Sequence, residues 1–374
     1  MTSKEKFYPA IQLTSACNKQ CSACLRDANR SDQKTSWKTF SLYLEDLRTI
    51  SSTRTIANQF VTGGEPTIWK DAERDYTDIL VALDGLDKVE TIVMPSNGKV
   101  FENLSFARTS LKKLSNSLSK KIVLGISIAG YQENFSESEG CKALNNLIEL
   151  ADDPEIKITP IILVTLSKND DISDRIRKKY PKIFQRVTPL APMGGAEDMT
   201  DECPSLSLSG TDKNSLGSFL PYFMNDVCGK LKISQTEFFS MKNSTIMDRL
   251  SLFNHCGASP FIDDRWHYCL PFKDDTRFDL CDIGGFSEKT MENFLYERKM
   301  LQSIRQCGII TTVQNYSDRL TAGCREKLKE ILEGTVFCSV AYRGCMICKK
   351  LYDIGFFSTD FTSQRQDSTK QART

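Results

Sequence analysis

The chain has 374 residues, of which 49 are Lys or Arg, 48 are Asp or Glu, and 40% are hydrophobic. This nearly neutral balance gives no global electrostatic case for binding nucleic acid or a membrane surface. No apolar run approaches the ~20 residues needed to cross a bilayer, and the first residues, MTSKEKFYPA, lack the apolar core of a signal peptide. We therefore expect a cytoplasmic protein with one large domain and a smaller one.

Six apolar segments in the first 235 residues have the pattern of β-strands, each followed by polar residues or by Gly and Pro. They are Ala10 to Leu13, Gln59 to Thr62, Thr91 to Met94, Ile122 to Ile128, Ile156 to Leu166 and Phe184 to Leu190. Amphipathic helix patterns lie between them, for example at Trp37, Phe40, Leu44 and Leu47. This alternation predicts a parallel sheet of βα units, with the chemistry in the loops that follow the strands.

The loop after the first strand carries the spacing Cys17-x3-Cys21-x2-Cys24. Three thiolates at this density favour a soft metal, and they leave a [4Fe-4S] cluster one ligand short, with one iron open for chemistry. Structural zinc is the alternative explanation. Zinc requires four ligands, however, and no fourth Cys or His lies nearby.

Two further loops carry turn motifs. The second strand is followed by Gly63-Gly64-Glu65-Pro66, where paired glycines allow the backbone to approach a ligand closely. The third is followed by Ser96-Asn97-Gly98, a turn signal. Either motif taken alone is also explained as an ordinary loop.

The pattern changes after about residue 235, where cysteines become dense again. Cys256 and Cys269 bracket residues 260–268, which we expect to form a β-hairpin turning at Asp263-Asp264-Arg265. Further helices are predicted around residues 291–295, 300–304 and 319–332. The last ~15 residues have little to bury and are expected to be disordered.

Together, the cysteine triplet and the Gly-Gly-Glu-Pro segment resemble the radical S-adenosylmethionine (radical SAM) enzymes. The resemblance implies an α/β fold, a partial (β/α)6 barrel over residues 1–235. It implies a [4Fe-4S] cluster on Cys17, Cys21 and Cys24, with the fourth iron binding the methionine part of SAM. The residues that it places against SAM are Gly63, Gly64, Glu65, Ser96, Asn97, Ser127 and Leu190. Ala23 and Ala129 stand where the family usually has an aromatic residue and an aspartate.

The later cysteines resemble the auxiliary-cluster domain called SPASM or, in its shorter form, twitch. The resemblance implies a smaller α+β domain over residues 236–355, followed by a tail over 356–374. It implies one auxiliary [4Fe-4S] cluster held by Cys256, Cys269, Cys345 and Cys348, with Cys281 and Cys338 as reserve ligands. A second, incomplete cluster stays open. Arg265 stands where the family commonly has a turn glycine, and the full seven-cysteine SPASM pattern is absent.

Cysteines outside these motifs have a simpler explanation. In a small secreted domain 14 cysteines would suggest disulfides, but the chain has no secretion signal, which favours metal in a reducing compartment. Free cysteine otherwise packs as a small core residue. We expect this of Cys141, Cys203, Cys228, Cys307 and Cys324.

The family resemblance implies an oxidoreductase. In the family, a reduced cluster cleaves SAM to a 5′-deoxyadenosyl radical that removes a substrate hydrogen atom, and an auxiliary cluster can accept the second electron. A flavodoxin or ferredoxin would supply the first electron. Because about seven residues precede the apolar run Tyr8 to Leu13 that contains the first strand, we expect a small metabolite as substrate. Peptide or protein modification, a non-catalytic iron–sulfur electron carrier and a zinc-binding module are the alternatives.

No catalytic acid or base is assigned from the sequence. A lone histidine beside a cysteine ligand is more often packed or placed around the ligands, which is the expectation for His255 and His267. Asp263, Asp264 and Arg265 would be suited to a pocket wall, but a hairpin turn needs such residues in any case.

Overall fold

The computed structural model describes residues 7–19, 21, 24, 33–129, 137–167, 171–189, 206–207, 228, 234, 236–237, 258–260, 263–268, 276–319, 322–323, 325–328, 336–337 and 345–357. Several residues singled out above lie outside this set: Ala23, Leu190, Cys203, His255, Cys256, Cys269, Cys324 and Cys338. None of the helices in the described ranges has both the length and the apolar character needed to cross a bilayer.

Strands and helices alternate along the first 189 residues. In chain order they are β1 (Ala10–Gln12), α1 (Trp37–Thr53), β2 (Gln59–Thr62), β3 (Lys70–Asp71), β4 (Arg74–Asp75), α2 (Tyr76–Asp84), β5 (Ile92–Ser96), α3 (Leu104–Asn116), β6 (Ile122–Ala129), α4 (Glu137–Ala151), β7 (Ile158–Leu166), α5 (Ile172–Lys179) and β8 (Gln185–Pro189). All six predicted strands are present, with ends displaced by at most two residues.

The central sheet has the strand order β1-β2-β5-β6-β7-β8, and every neighbouring pair is parallel. Parallel neighbours require crossover connections, and α1 to α5 occupy the connections between successive strands of the sheet. The sheet is open among the described strands, with β1 and β8 at its edges. The predicted α/β fold with six parallel strands is therefore confirmed.

Helix α1 illustrates how the sequence builds this layer. Ser36 caps its first turn by accepting a hydrogen bond from the Thr39 backbone N–H at 3.0 Å. Phe40, Tyr43 and Leu47 follow at steps of three and four residues and are fully buried in the main core. Apolar burial at this spacing is what packs the helix onto the sheet.

The C-terminal part contains short strands and several helices. They are β9 (Leu206–Ser207), β10 (Ala258–Pro260), β11 (Arg265–Tyr268), β12 (Asp279–Asp282), α6 (Glu288–Tyr296), α7 (Lys299–Cys307), α8 (Ile309–Tyr316), β13 (Val336–Phe337) and α9 (Cys345–Asp353). β10, β11 and β12 form an antiparallel sheet, and β9 pairs with β13. The structure thus contains the predicted hairpin and the helices expected near residues 291 and 300. Residues 325–328 are also helical.

The hairpin turn explains the absence of the expected glycine. Asp264 has φ 64°, which places it in the left-handed region, whereas Arg265 already begins β11. Aspartate is one of the few residue types that tolerate this conformation, because its short side chain bonds locally to the backbone. The residue before Arg265 therefore supplies the turn geometry.

The packed region extends further than the sequence suggests. The sequence predicts a disordered tail from residue 356, but Phe356 and Phe357 are 0% and 1% exposed and their rings meet edge to face. Burial of two aromatic side chains is a large apolar contribution, and it fixes the chain at least to residue 357.

Candidate functional site

The three motif loops meet because their strands are neighbours in one parallel sheet. Gln12 at the end of β1 pairs with Thr62 at the end of β2, and Ser96 at the end of β5 pairs with Ile126 in β6. Parallel strands present their carboxyl ends at the same edge. The cysteine loop, the Gly-Gly-Glu loop and the Ser-Asn loop consequently adjoin one another.

The cysteine loop is closed at its base by backbone hydrogen bonds. Ser15 N–H donates to Gln33 O and Thr35 N–H donates to Leu13 O, both at 2.9 Å. The Thr35 hydroxyl also donates to Gln12 O at 2.8 Å. The three cysteines therefore lie on a loop whose two ends are hydrogen-bonded to each other beside β1.

The paired glycines bring the second loop onto the first. Gly64 N–H donates to Thr14 O at 2.6 Å, and Glu65 N–H donates to Ala16 O at 2.9 Å. A Cβ atom on Gly63 would lie 2.7 Å from Thr14 O, and one on Gly64 would lie 2.1 Å from Ala16 O. Close approach of two backbones, in addition to any approach to a ligand, thus requires glycine at both positions.

Glu65 links the second loop to the third. Its side chain is buried, and Oε1 accepts hydrogen bonds from the Thr67 N–H (3.1 Å), the Thr67 hydroxyl (2.7 Å) and the Ser96 hydroxyl (2.9 Å). Oε2 accepts from Asn97 N–H at 2.7 Å. Burial raises the pKa of Glu65 above its ordinary value, while these bonds favour the ionised carboxylate. Glu65 is therefore a structural anchor between loops.

The side chain of Asn97 faces the cysteine loop. Its Nδ2 lies 2.7 Å from Asn18 Oδ1 and 3.7 Å from Cys17 Sγ. The sequence resemblance places Asn97 against SAM and gives no reason to connect it to Cys17. Asn18 was not predicted at all, since nothing in the sequence marks a polar residue beside a cysteine as its partner.

The three cysteines are half-buried. Lys19 N–H donates to Cys17 Sγ at 3.4 Å, and Cys24 N–H donates to Cys21 O at 3.2 Å. Burial raises the pKa of Cys17, and burial together with the neighbouring thiols Cys24 and Cys17 raises the pKa of Cys21 to about 11. Mutual repulsion of this kind is relieved when the thiolates bind cationic iron.

The donor set fits an iron–sulfur cluster. A [4Fe-4S] cluster takes one thiolate on each of three irons when its fourth iron is left for another ligand. Three thiols on one tied loop, Cys17, Cys21 and Cys24, supply that chemistry and leave one iron for another ligand.

Three further predicted site residues, Ser127, Cys345 and Cys348, lie within the described residues. Ser127 is half-buried in β6, one residue beyond the partner of Ser96. Cys348 is buried on α9, three residues after Cys345. Cys256 and Cys269, the other predicted ligands of the auxiliary cluster, lie outside the described residues, and so does Leu190, the predicted contact to adenine. The auxiliary ligand set and the adenine contact therefore stay predictions.

Cys281, which the sequence predicts as a reserve ligand, has surroundings unlike those of Cys17, Cys21 and Cys24. Burial and then the carboxylates of Asp46 and Asp282 raise its pKa to about 12. Because these neighbours are fixed acids, a thiolate at Cys281 is opposed by its environment. Cys141, predicted to be an ordinary thiol, is buried, and Cys307 donates to Ser303 O at 3.1 Å.

His267 is enclosed by acids on the hairpin. Its Nε2 lies 2.8 Å from Asp263 Oδ2, and its Nδ1 lies 3.0 Å from Asp279 Oδ1. Arg265 in turn contacts Asp279 and Asp282. These contacts give His267, Asp263 and Arg265 a structural explanation within the three-stranded sheet, in agreement with the expectation of a packed histidine.

Comparisons with known proteins find similarity in structure alone. No protein-family model matches the chain, and no curated protein matches its sequence. Crystal structures of Streptococcus suis SuiB are similar, one bound to the precursor peptide SuiA (16% identity, 81% of this chain and 70% of that chain, TM-score 0.52) and one bound to S-adenosylmethionine (16%, 81% and 71%, TM-score 0.51). A polyhistidine-tagged anSMEcpe with bound AdoMet is also similar (12% identity, 96% and 100%, TM-score 0.50). The chain therefore shares the fold of these S-adenosylmethionine-bound and peptide-bound structures.

Proposed function

We propose that the protein is a radical SAM enzyme that holds a [4Fe-4S] cluster on Cys17, Cys21 and Cys24. The observation that carries the proposal is the meeting of the three motif loops at one edge of the parallel sheet. When bound, the cluster and SAM supply one electron and a 5′-deoxyadenosyl radical able to remove a hydrogen atom from an unactivated carbon.

The residues of the chain position and enclose these groups. Gly63 and Gly64 allow the second loop to pack directly against the cysteine loop, and Glu65 accepts hydrogen bonds from Ser96 and Asn97 of the third loop. The Glu65 carboxylate accepts from four internal donors and its backbone N–H donates to Ala16 O, so Glu65 acts by holding in place the Gly-Gly-Glu segment that would face the SAM amino group. A fixed frame of this kind orients the cofactor without a large reorganisation cost during the reaction.

We further propose an auxiliary [4Fe-4S] cluster in the C-terminal domain, which we extend from residues 236–355 to residue 357 because Phe356 and Phe357 are buried. The hairpin and a buried Cys348 support this assignment, and β10 packs beside β1, the strand that leads to the cysteine loop. The proposed ligands are Cys256, Cys269, Cys345 and Cys348. Such a cluster would accept the second electron of the substrate, which makes net two-electron oxidation the proposed outcome.

Two substrate classes are proposed. The first is a small alcohol-bearing metabolite, such as a sugar or cyclitol oxidised to a ketone. The second is a peptide, and the similarity in fold to SuiB bound to its precursor peptide favours it. A flavodoxin or ferredoxin is the proposed reductant. The two substrate classes can be distinguished with metabolites and peptides that carry deuterium at the carbon to be oxidised. Only the true substrate transfers deuterium to 5′-deoxyadenosine.

The test of the activity is anaerobic iron and sulfide analysis with SAM cleavage under a strong reductant. We expect about eight iron atoms per chain, falling to about four in a Cys17, Cys21 and Cys24→Ala triple variant that no longer cleaves SAM. Cys307→Ala is the matched control and should keep both. Zinc in place of iron, or iron without SAM cleavage, would replace the proposal with a structural zinc module or an electron carrier.

A further inference from the structure

Asn97 is held in place by two hydrogen bonds that do not involve the cysteine loop. Its backbone N–H donates to Oε2 of the buried Glu65 at 2.7 Å. Its side-chain Oδ1 accepts from Lys99 N–H at 3.0 Å. The first bond fixes where the residue lies, and the second fixes how its side chain is turned.

The bond from Lys99 also determines which end of the amide faces the cysteines. Only the amide oxygen can accept from a backbone N–H, so the NH₂ group must point away from Lys99. It points to Asn18 Oδ1 at 2.7 Å and to Cys17 Sγ at 3.7 Å. The two hydrogens of Nδ2 therefore suffice for both partners.

We infer that Asn97 tunes the reduction potential of the cluster by donating this hydrogen bond to the sulfur of Cys17. The inference rests on the proposed function, and it directs the side chain of Asn97 to the cluster instead of to SAM. Asn97 is a positioning residue for SAM only through its backbone and loop. The Lys19 N–H also donates to Cys17, but only Asn97 of these two donors can be removed by substitution.

The direction of the effect follows from charge. Hydrogen bonds to the sulfurs of an iron–sulfur cluster contribute to its potential, because the reduced cluster carries more negative charge on sulfur. A donor at Cys17 stabilises the reduced state. The step concerned is a one-electron reduction, in which a flavodoxin or ferredoxin is oxidised by one electron and no proton or covalent bond changes. Asn97 favours this step and lowers the driving force for onward transfer to SAM.

The experiment is an anaerobic redox titration of the reconstituted full-length protein without SAM, followed by the electron paramagnetic resonance signal of the reduced cluster. Asn97→Leu removes the donor. Asn97→Asp keeps the oxygen that accepts from Lys99 but places a carboxylate oxygen against Cys17. Asn18→Ala is the matched control, because it removes the other partner of the same amide and leaves the donor to Cys17 in place.

We expect Asn97→Leu to lower the ratio of reduced to oxidised cluster at a given potential about tenfold. For a one-electron couple this corresponds to a midpoint potential that is lower by about 59 mV. Asn97→Asp should lower it further, and Asn18→Ala should leave it unchanged. The auxiliary cluster, with ligands elsewhere in the chain, serves as an internal reference. Unchanged midpoints in both Asn97 variants would overturn the inference, as would loss of iron from both without a shift in the remainder. Iron content of the wild type tests the proposed function separately.

Discussion

Asp46 of α1 accepts a hydrogen bond from the indole Nε1 of Trp266 in β11 at 2.7 Å, although 220 residues separate them. The same carboxylate accepts from Gly284 N–H at 2.7 Å and Phe286 N–H at 3.0 Å. Trp266 stacks on Phe286 with ring centroids 4.3 Å apart and touches Tyr43 of α1. One buried carboxylate thus attaches the three-stranded sheet to the helix layer of the parallel sheet.

Replacing Asp46 should detach this contact. Asp46→Ala leaves the N–H groups of the buried Trp266 ring and of the buried Phe286 without an acceptor, each of which costs about 1–3 kcal/mol when unsatisfied, whereas the N–H of the exposed Gly284 can bond to water. We expect a loss of about 3 kcal/mol in the free energy of unfolding, measured by urea denaturation. Glu45→Ala on the exposed side of the same turn is the control and should change stability by less than about 0.5 kcal/mol. Equal stability of the two variants would contradict the role of Asp46.

The ion pair between Arg54 and Glu288 predicts a dependence on pH. The hydrogen bond from Arg54 lowers the pKa of Glu288 below its usual 4.5. The folded state therefore favours the ionised form of Glu288. The stabilisation that this carboxylate provides is present above pH 4.5 and is lost as the pH falls through the folded-state pKa. Both groups are partly solvated, which limits the effect to at most about 1 kcal/mol.

Glu288→Gln should test this dependence. The stability difference from wild type is expected to be largest near neutral pH, to shrink as the solution is acidified and to shrink with added salt. Guanidinium would screen the pair, so urea is the suitable denaturant. A difference independent of both pH and salt would mean that the hydrogen bond from Thr53 to Glu288, at 3.0 Å, accounts for it instead.

Substitution of Gly64 tests the close contact between the Gly-Gly-Glu loop and the cysteine loop. A Cβ at Gly64 would lie 2.1 Å from Ala16 O, so Gly64→Ala must displace the cysteine loop. We expect a loss of about 1–3 kcal/mol and a fall in iron incorporation. Gly85→Ala is the matched control, because Gly85 has φ −69° and the nearest atom to its Cβ would be 3.5 Å away. That variant should be neutral or more stable by up to about 1 kcal/mol, with full iron.

Substitution of Glu65 should weaken the contact between the Gly-Gly-Glu loop and the Ser-Asn loop and lower stability. In Glu65→Gln an NH₂ group must face either the Asn97 N–H or the Thr67 N–H, where only an acceptor fits. An opposed donor pair at a buried site costs about 1–3 kcal/mol. Thermal unfolding of the apo-protein should register this loss. Thr67→Val removes one hydroxyl donor to the same carboxylate, keeps the bond from the Thr67 N–H and should cost less, so the reverse order of the two variants would refute the anchor role.

Sequence reasoning reached the strands and the cysteine loop for a physical reason. Buried parallel strands are apolar on both faces, and three cysteines on one loop are rare, so both signals are local and strong. The link between Asp46 and Trp266 has no such signal, because an aspartate in an amphipathic helix is ordinarily solvated. The orientation of Asn97 likewise depends on Lys99 of its own loop and on Glu65 of the loop after β2. Local spacing therefore identified the elements, whereas long-range hydrogen bonds, which decide what each polar residue does, required the structure.

The turn of the hairpin gives the last prediction. Asp264 holds φ 64°, a conformation that glycine adopts without strain and that β-branched residues resist. Asp264→Gly should therefore leave the free energy of unfolding within about 1 kcal/mol of wild type, and Asp264→Val should lower it by about 1–3 kcal/mol. Urea denaturation of the pair measures the difference. Because this turn sets the register of β10 against β11, Asp264→Val should also reduce the iron of the proposed auxiliary cluster while leaving the iron of the cluster proposed at Cys17, Cys21 and Cys24. Equal behaviour of the Gly and Val variants would contradict the left-handed turn.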